Sequence, residues 1–340
     1  MEQDKQDISQ FTRKALVLTG LVILVAMLYF LRSLVLISFL AVLIAILWSA
    51  MTRFLQRFTR VAKPRGVWVT VSALFSMGVF GGAVYLLFAP VSDQLQELVE
   101  FIPQQLDEFM EQLMPWLQRL GIGEEALETF EAGALFEEAT EAAIDAMGLG
   151  LSAALSLLVT LLLAFYTALN PERYRRGVVR MAPVRYRERT TFILNDLHEI
   201  LLQWLIAAGI MIVLVGTLAG LSFWIIGIPY ALLFAIAAGM LELIPYLGPT
   251  LAFTIPFLVA LTISVPHAIA VAVAWAAIQT LEAGFITPAI LAVKVALPPT
   301  LTILVIVGMG QLFGFLGILL ATPILAVVLR TLDHLIPELT

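Results

Sequence analysis

No cysteine occurs in the 340 residues. That excludes disulfides, thiolate metal sites and cysteine nucleophiles together. Charge is also scarce: 13% of residues are charged against 61% hydrophobic, a balance that belongs to a polytopic membrane protein and not to a large soluble domain. The three histidines, His198, His267 and His334, lie far apart and share no metal-ligand spacing. There is no Gly-rich phosphate loop, no His-Glu-x-x-His and no Gly-x-Ser-x-Gly. The sequence therefore predicts no enzyme, no metal site, no cofactor and no ATP-driven pump. The partner it does predict is a lipid bilayer; a nucleic acid is not expected.

The charges that occur are segregated. Between Val91 and Met147 lie 14 of the 25 acidic residues and a single basic one, Arg119. Arg53, Arg57, Arg60, Lys63 and Arg65 crowd Thr52–Gly66 without an acid, and Asn170–Glu199 holds seven arginines. Basic loops stay on the cytoplasmic side. This places the N-terminus (Arg13, Lys14) and both basic segments in the cytoplasm and the acidic segment 91–147 outside.

Hydropathy divides the chain into four parts. Residues 1–66 read as a membrane hairpin (spans 15–31 and 34–51) followed by a basic cytoplasmic loop. Residues 67–169 hold spans 67–89 and 149–169 on either side of the extracytoplasmic segment. That segment is amphipathic, with Leu95, Leu98, Val99, Ile102, Leu106, Phe109 and Leu113 at helical spacing, a weaker repeat over 124–147, and prolines 103 and 115 expected to kink or divide it. It reads as a helical cap or oligomer contact, with an acidic vestibule that concentrates cations as the alternative. Residues 170–199 form a basic cytoplasmic amphipathic segment, opened by Asn170-Pro171-Glu172 as an N-cap followed by proline. Its arginines are expected against anionic headgroups. Residues 200–340 are a Gly/Pro-interrupted core. The expected fold is an all-α polytopic membrane protein of about eight transmembrane helices, with broken or re-entrant elements in the C-terminal half.

Within that core, Ile200–Leu329 carries only Glu242, Glu282 and Lys294 as charged side chains. A charge at membrane depth costs roughly 2.5–3.5 kcal/mol on insertion scales, so such residues are candidates for function. Both glutamates sit beside helix breakers, in Leu241-Glu242-Leu243-Ile244-Pro245-Tyr246-Leu247-Gly248-Pro249 and in Glu282-Ala283-Gly284-Phe285-Ile286-Thr287-Pro288. A carboxylate next to freed backbone carbonyls suits a proton or small cation. Glu242 and Glu282 are thus the expected ion-coupling pair. Pro245, Tyr246, Gly248, Pro249, Gln279, Gly284, Pro288 and Gln311 are expected along the substrate pathway. Lys294 reads as a residue snorkelling to an interface.

These stretches, with Gly227-Ile228-Pro229-Tyr230-Ala231-Leu232, Gln279-Thr280-Leu281-Glu282, Thr287-Pro288 and Gly314-Phe315-Leu316-Gly317 through Ala321-Thr322-Pro323, resemble the autoinducer-2 exporter family of bacterial and archaeal membrane proteins. The resemblance implies a prokaryotic inner (plasma) membrane protein, an ion-coupled or facilitated transporter, and a homo-oligomer, with pentamers associated with the family. Members have been linked to autoinducer-2 export and to sodium–proton antiport, so H⁺ or Na⁺ is the implied coupling ion. The chain departs from the family pattern at Ala289, Ala292, Ala296 and Pro298, where arginine, two glycines and histidine are usual. The expected function is a secondary transporter that exports a small solute such as autoinducer-2 or exchanges Na⁺ for H⁺. A passive oligomeric channel and a non-transporting scaffold or sensor are the alternatives.

Overall fold

The computed structural model describes residues 32–59, 64–119, 151–286 and 298–335. The expected first span, 15–31, and the second amphipathic stretch, 124–147, lie outside the described residues. The chain is helical throughout the described part: α1 (Arg32–Thr59), α2 (Arg65–Arg119), α3 (Leu151–Leu169), α4 (Pro171–Met181), α5 (Arg187–Ile226), α6 (Ala231–Leu241), α7 (Leu247–Ile263), α8 (Val265–Leu281) and α9 (Pro299–Leu335). Five of these helices are long and apolar enough to cross a membrane, or six if the bent pair α3–α4 is one span.

Helix α1 is central because both of its faces are apolar. Ala41, Ala45 and Trp48 pack on Val69 and Ala73 of α2 and on Ala164 and Ala168 of α3. Leu36, Leu43 and Ile46 pack on Leu201 of α5 and Leu320 of α9. Within the bundle the buried Thr52 hydroxyl pairs with that of Ser72 at 3.1 Å, and the Trp48 indole N–H donates to Ser76 at 2.7 Å. Arg65 Nε donates to the Ala168 carbonyl at 3.2 Å, satisfying an end of α3 that has no N–H left to accept from.

Helix α2 has 55 residues, about 82 Å at 1.5 Å per residue and far beyond a ~30 Å hydrocarbon core. Residues 103 and 115 were expected to kink or divide it; instead the helix runs past both prolines to Arg119 without dividing. Each proline removes one hydrogen bond, a local defect that a long helix can absorb. Its Gln94 side chain accepts from the Leu233 N–H at 2.9 Å, so α2 caps the first turn of α6 from outside its own chain segment.

The α3–α4 junction turns by 87° at Asn170. Pro171 takes the first helical position as expected, while the Asn170 side chain makes no cap bond. Helix α5 then runs 40 residues, joining the second half of the basic segment to a membrane span. It ends at Gly227, whose left-handed φ of 84° lets its own N–H and that of Ile228 bond back to Phe223.

The C-terminal part departs from a simple series of spans. Helix α6 packs against α5 through small residues: a Cβ on Gly220 would lie 2.7 Å from Ala235 Cβ, and one on Gly239 would lie 2.5 Å from the Ile212 carbonyl oxygen. With 11 residues it covers about 16 Å, half the core. Helix α7 returns from it, and α8 follows after the single extended residue Ser264. Ser222 and Ile226 at the end of α5 border the same recess as Pro266 and Ile269 at the start of α8. The chain therefore enters α6 and leaves α7 at one end of the bundle, and α6–α7 is a hairpin with one short arm and one longer arm.

Helix α9 is also folded. Gly314 has φ 64° and ψ −151°, a conformation open essentially to glycine alone. Its two arms, 299–313 and 315–335, lie side by side: a Cβ on Gly310 would meet Ile318 at 3.0 Å, and Gly317 leaves no room for a Cβ beside Met309. Among the described residues, 231–263 thus form one hairpin and 299–335 another, the broken or re-entrant elements expected of the C-terminal half.

Candidate functional site

The two hairpins meet. Leu241 and Ile244, at the tip of α6–α7, pack on Ile306 and Ala321 from the two arms of α9, with Val305, Met309 and Ile318 around them. The α9 hairpin enters from the other end of the bundle. Its last turn is tied to the start of α5 by Arg330 Nε donating to Asp196 Oδ2 at 2.6 Å and by His334 at 2.7 Å from the same oxygen. Arg189 also donates to the His334 carbonyl.

Glu242 lies at this meeting point because α6 cannot continue past it. Leu243 and Ile244 N–H groups bond back to Met240 and Leu241 at 3.3 and 2.9 Å, and Pro245 has no N–H to extend the ladder. The Pro245 carbonyl then accepts from Leu247 N–H at 2.8 Å across Tyr246, at φ 66° and ψ −50°. This is a γ-turn with a left-handed centre, a strained geometry for a bulky residue. Gly248 closes the turn: it is buried, and a Cβ there would sit 2.6 Å from the Leu241 carbonyl carbon. Tyr230, before α6, is the other non-glycine residue at positive φ among the described residues. Both tyrosines stand in the tripeptide Ile-Pro-Tyr, at 228–230 and 244–246.

Glu282 arrives from α8, which gives way after Leu281 to a wide turn over Glu282–Ile286. Its carboxyl lies close enough to that of Glu242 for the two to interact electrostatically. Gln279, one turn earlier, donates its amide to Glu282 Oε2 at 3.2 Å. Among the described residues no nitrogen or hydroxyl donor reaches Glu242 Oε2, which is fully buried. Both acids also stand at helix C-termini, the negative ends of α6 and α8. Two carboxyls, one orphaned buried oxygen and two helix ends of the same sign call for a positive charge. A proton between the oxygens or a small cation would supply it.

Of the residues expected along a pathway, Pro245, Tyr246, Gly248 and Pro249 form the break beside Glu242, and Gln279 and Gly284 flank Glu282. Gln311 is exposed on the first arm of α9, near its fold. Pro288 and Lys294 lie outside the described residues. Among the described residues no three His, Asp or Glu side chains gather as a metal cluster. Sequence reasoning missed the fold at Gly314 and the Asp196–Arg330–His334 cluster. It also missed the repeated Ile-Pro-Tyr, which was visible in the sequence.

Two hairpins that enter from opposite ends of the bundle, with acids at their junction, define a class: polytopic helical proteins with broken elements, an architecture that solute carriers use. The chain belongs to the AI-2E family transporter family, which it matches over residues 18–336. Similar proteins include YrrI of Bacillus subtilis, 29% identical over 51% of this chain and 49% of its own length. YueF of the same organism is 29% identical over 48% and 44%. The protein sll0063 of Synechocystis is 25% identical over 86% and 75%. All three carry the name "Putative transport protein". The chain spans about half the length of the two Bacillus relatives it matches.

Proposed function

We propose that this protein is a secondary transporter in which Glu242 and Glu282 bind and release the coupling ion, H⁺ or Na⁺. The observation that carries the reading is the interacting carboxyl pair at the tip of the α6–α7 hairpin, with Glu242 Oε2 buried and, among the described residues, without a donor. An ion bound there neutralises a group that is costly to leave charged in an apolar setting. Its release toward one side or the other would be linked to motion of the hairpins, which pack on one another through apolar side chains that include Leu241, Ile244, Ile306 and Ala321. The transported solute is a small molecule such as autoinducer-2, or the exchange is of Na⁺ for H⁺. The arginine-rich ends of α4 and α5 face the cytoplasm.

The test is proton movement in proteoliposomes holding the purified protein and an internal pH dye, with Na⁺, Li⁺ and K⁺ gradients imposed in turn. Glu242→Gln and Glu282→Gln keep size and hydrogen-bonding capacity while removing the ionisable group. Cation-dependent proton flux in the wild type, lost in either variant, is the expected result. Undiminished flux in both variants would remove the pair from the mechanism. No flux with any cation would favour an organic solute, tested in the same vesicles.

A further inference from the structure

We propose that α4 builds a phosphate site occupied by the headgroup of an anionic glycerophospholipid. Arg173, Arg176 and Arg180 recur on one face of the helix and, with Asn170, line an open recess of about 350 Å³. All three arginines are exposed. The carboxylate within their own helix, Glu172, is engaged instead by Arg175 at 2.8 Å. Arg176 reaches only the Glu172 backbone carbonyl, at 3.2 Å. Among the described residues no carboxylate pairs with any of the three. Three guanidinium groups drawn together without an acid repel one another until an anion enters, and the planar fork of arginine matches phosphate oxygens.

Two further observations point to lipid as the source of that phosphate. The 87° turn after α3 lays α4 along the surface of any bilayer that α3 crosses. The same helix bears a second, apolar stripe, Tyr174, Val178 and Met181, with Met181 86% exposed. A helix with an apolar stripe and a basic stripe, lying flat, binds the boundary between headgroups and acyl chains. Asn170 leaves the first-turn N–H groups uncapped by its side chain, so the positive end of α4 opens on the recess as well. The general attraction of a basic segment for an anionic surface is thereby narrowed to one built site.

The experiment uses the full chain in detergent micelles, titrated with phosphatidylglycerol or phosphatidylcholine, with bound lipid counted by native mass spectrometry. The wild type is expected to retain phosphatidylglycerol in preference to phosphatidylcholine. Arg173→Gln/Arg176→Gln/Arg180→Gln should weaken that retention at least tenfold. Arg185→Gln, which removes an arginine stacked on Tyr186 outside the recess, should not. Equal retention by the triple variant, or no preference between the two lipids, would overturn the site. Sodium pyrophosphate is the soluble probe: if it binds tightly by itself and displaces phosphatidylglycerol, the lipid assignment fails in favour of a free phosphate ligand.

Discussion

Replacing Gly317 by alanine tests the fold of the last helix, on which the meeting of the two hairpins depends. A Cβ at this position would lie 2.8 Å from the Met309 carbonyl carbon and 2.8 Å from Phe313 Cβ. Carbon atoms in good contact sit roughly 3.5–4.0 Å apart, so one arm must move by about 0.7–1.2 Å. The nearest obstacle is backbone, which no rotamer change relieves. Overpacking of this kind costs about 1–3 kcal/mol or more, against a gain of about 0.5–1 kcal/mol from replacing a helical glycine. A net loss of up to about 2 kcal/mol follows, a fall in melting temperature of up to roughly 3 °C at ~2.1 cal/mol/K of unfolding entropy per residue over 340 residues. Gly308→Ala is the internal control. It lies on the first arm of the same hairpin, and nothing is within 4 Å of the added carbon; it should be neutral or slightly stabilising. Thermal unfolding in detergent, followed by the fluorescence of the six tryptophans, reads both. If Gly317→Ala melts no lower than Gly308→Ala, the arms are not folded together at Gly314, and α9 is one continuous span.

The Asp196 cluster ties the C-terminal arm of α9 to α5, with the side chains of Asp196, Arg330 and His334 all 18–24% exposed. Asp196→Asn should destabilise the protein by about 1–3 kcal/mol, and a cycle with Arg330→Gln should show a coupling energy of about 0.5 kcal/mol or more, whereas additive single effects would mean that the pair contributes nothing. Gln94→Ala removes the acceptor for the Leu233 N–H, so about 1 kcal/mol is expected to be lost from the start of α6. Hydrogen–deuterium exchange over residues 231–234 should quicken, and unchanged exchange would show that α2 does not cap α6.

Part of the site was legible because its causes are local. Pro245 cannot donate to a helix, and Gly248 tolerates close backbone approach, so the break at 242–248 follows from residue types within a few positions. The cost of a carboxylate in an apolar run is equally local, and it singled out Glu242 and Glu282 one at a time. The two short apolar runs on either side of the break were readable as arms of a re-entrant element, since neither is long enough to span with ease. Four glycines in the last helix were readable as weak points, but their spacing does not say which of them folds the chain. Gly308 meets nothing, whereas Gly314 alone takes a left-handed φ, a difference set by what packs on each arm. Prolines 103 and 115 do not divide α2, since a proline marks where a helix can break and not where it must.

Composition, charge segregation and helix breakers sufficed for an all-helical membrane protein with a basic end, a discontinuous C-terminal half and two suspect acids, since each is a property of short stretches of chain. That Glu242 and Glu282 face one another could not be read this way. Forty positions separate them, and their approach depends on α7 returning to the end where α6 began, so that α8 descends beside it. The same holds for Asp196 with Arg330, 134 residues apart, and for Ile244 against Ile306 and Ala321. Such contacts arise from how helices of particular lengths close on one another, and a period of 3.6 residues carries no record of that.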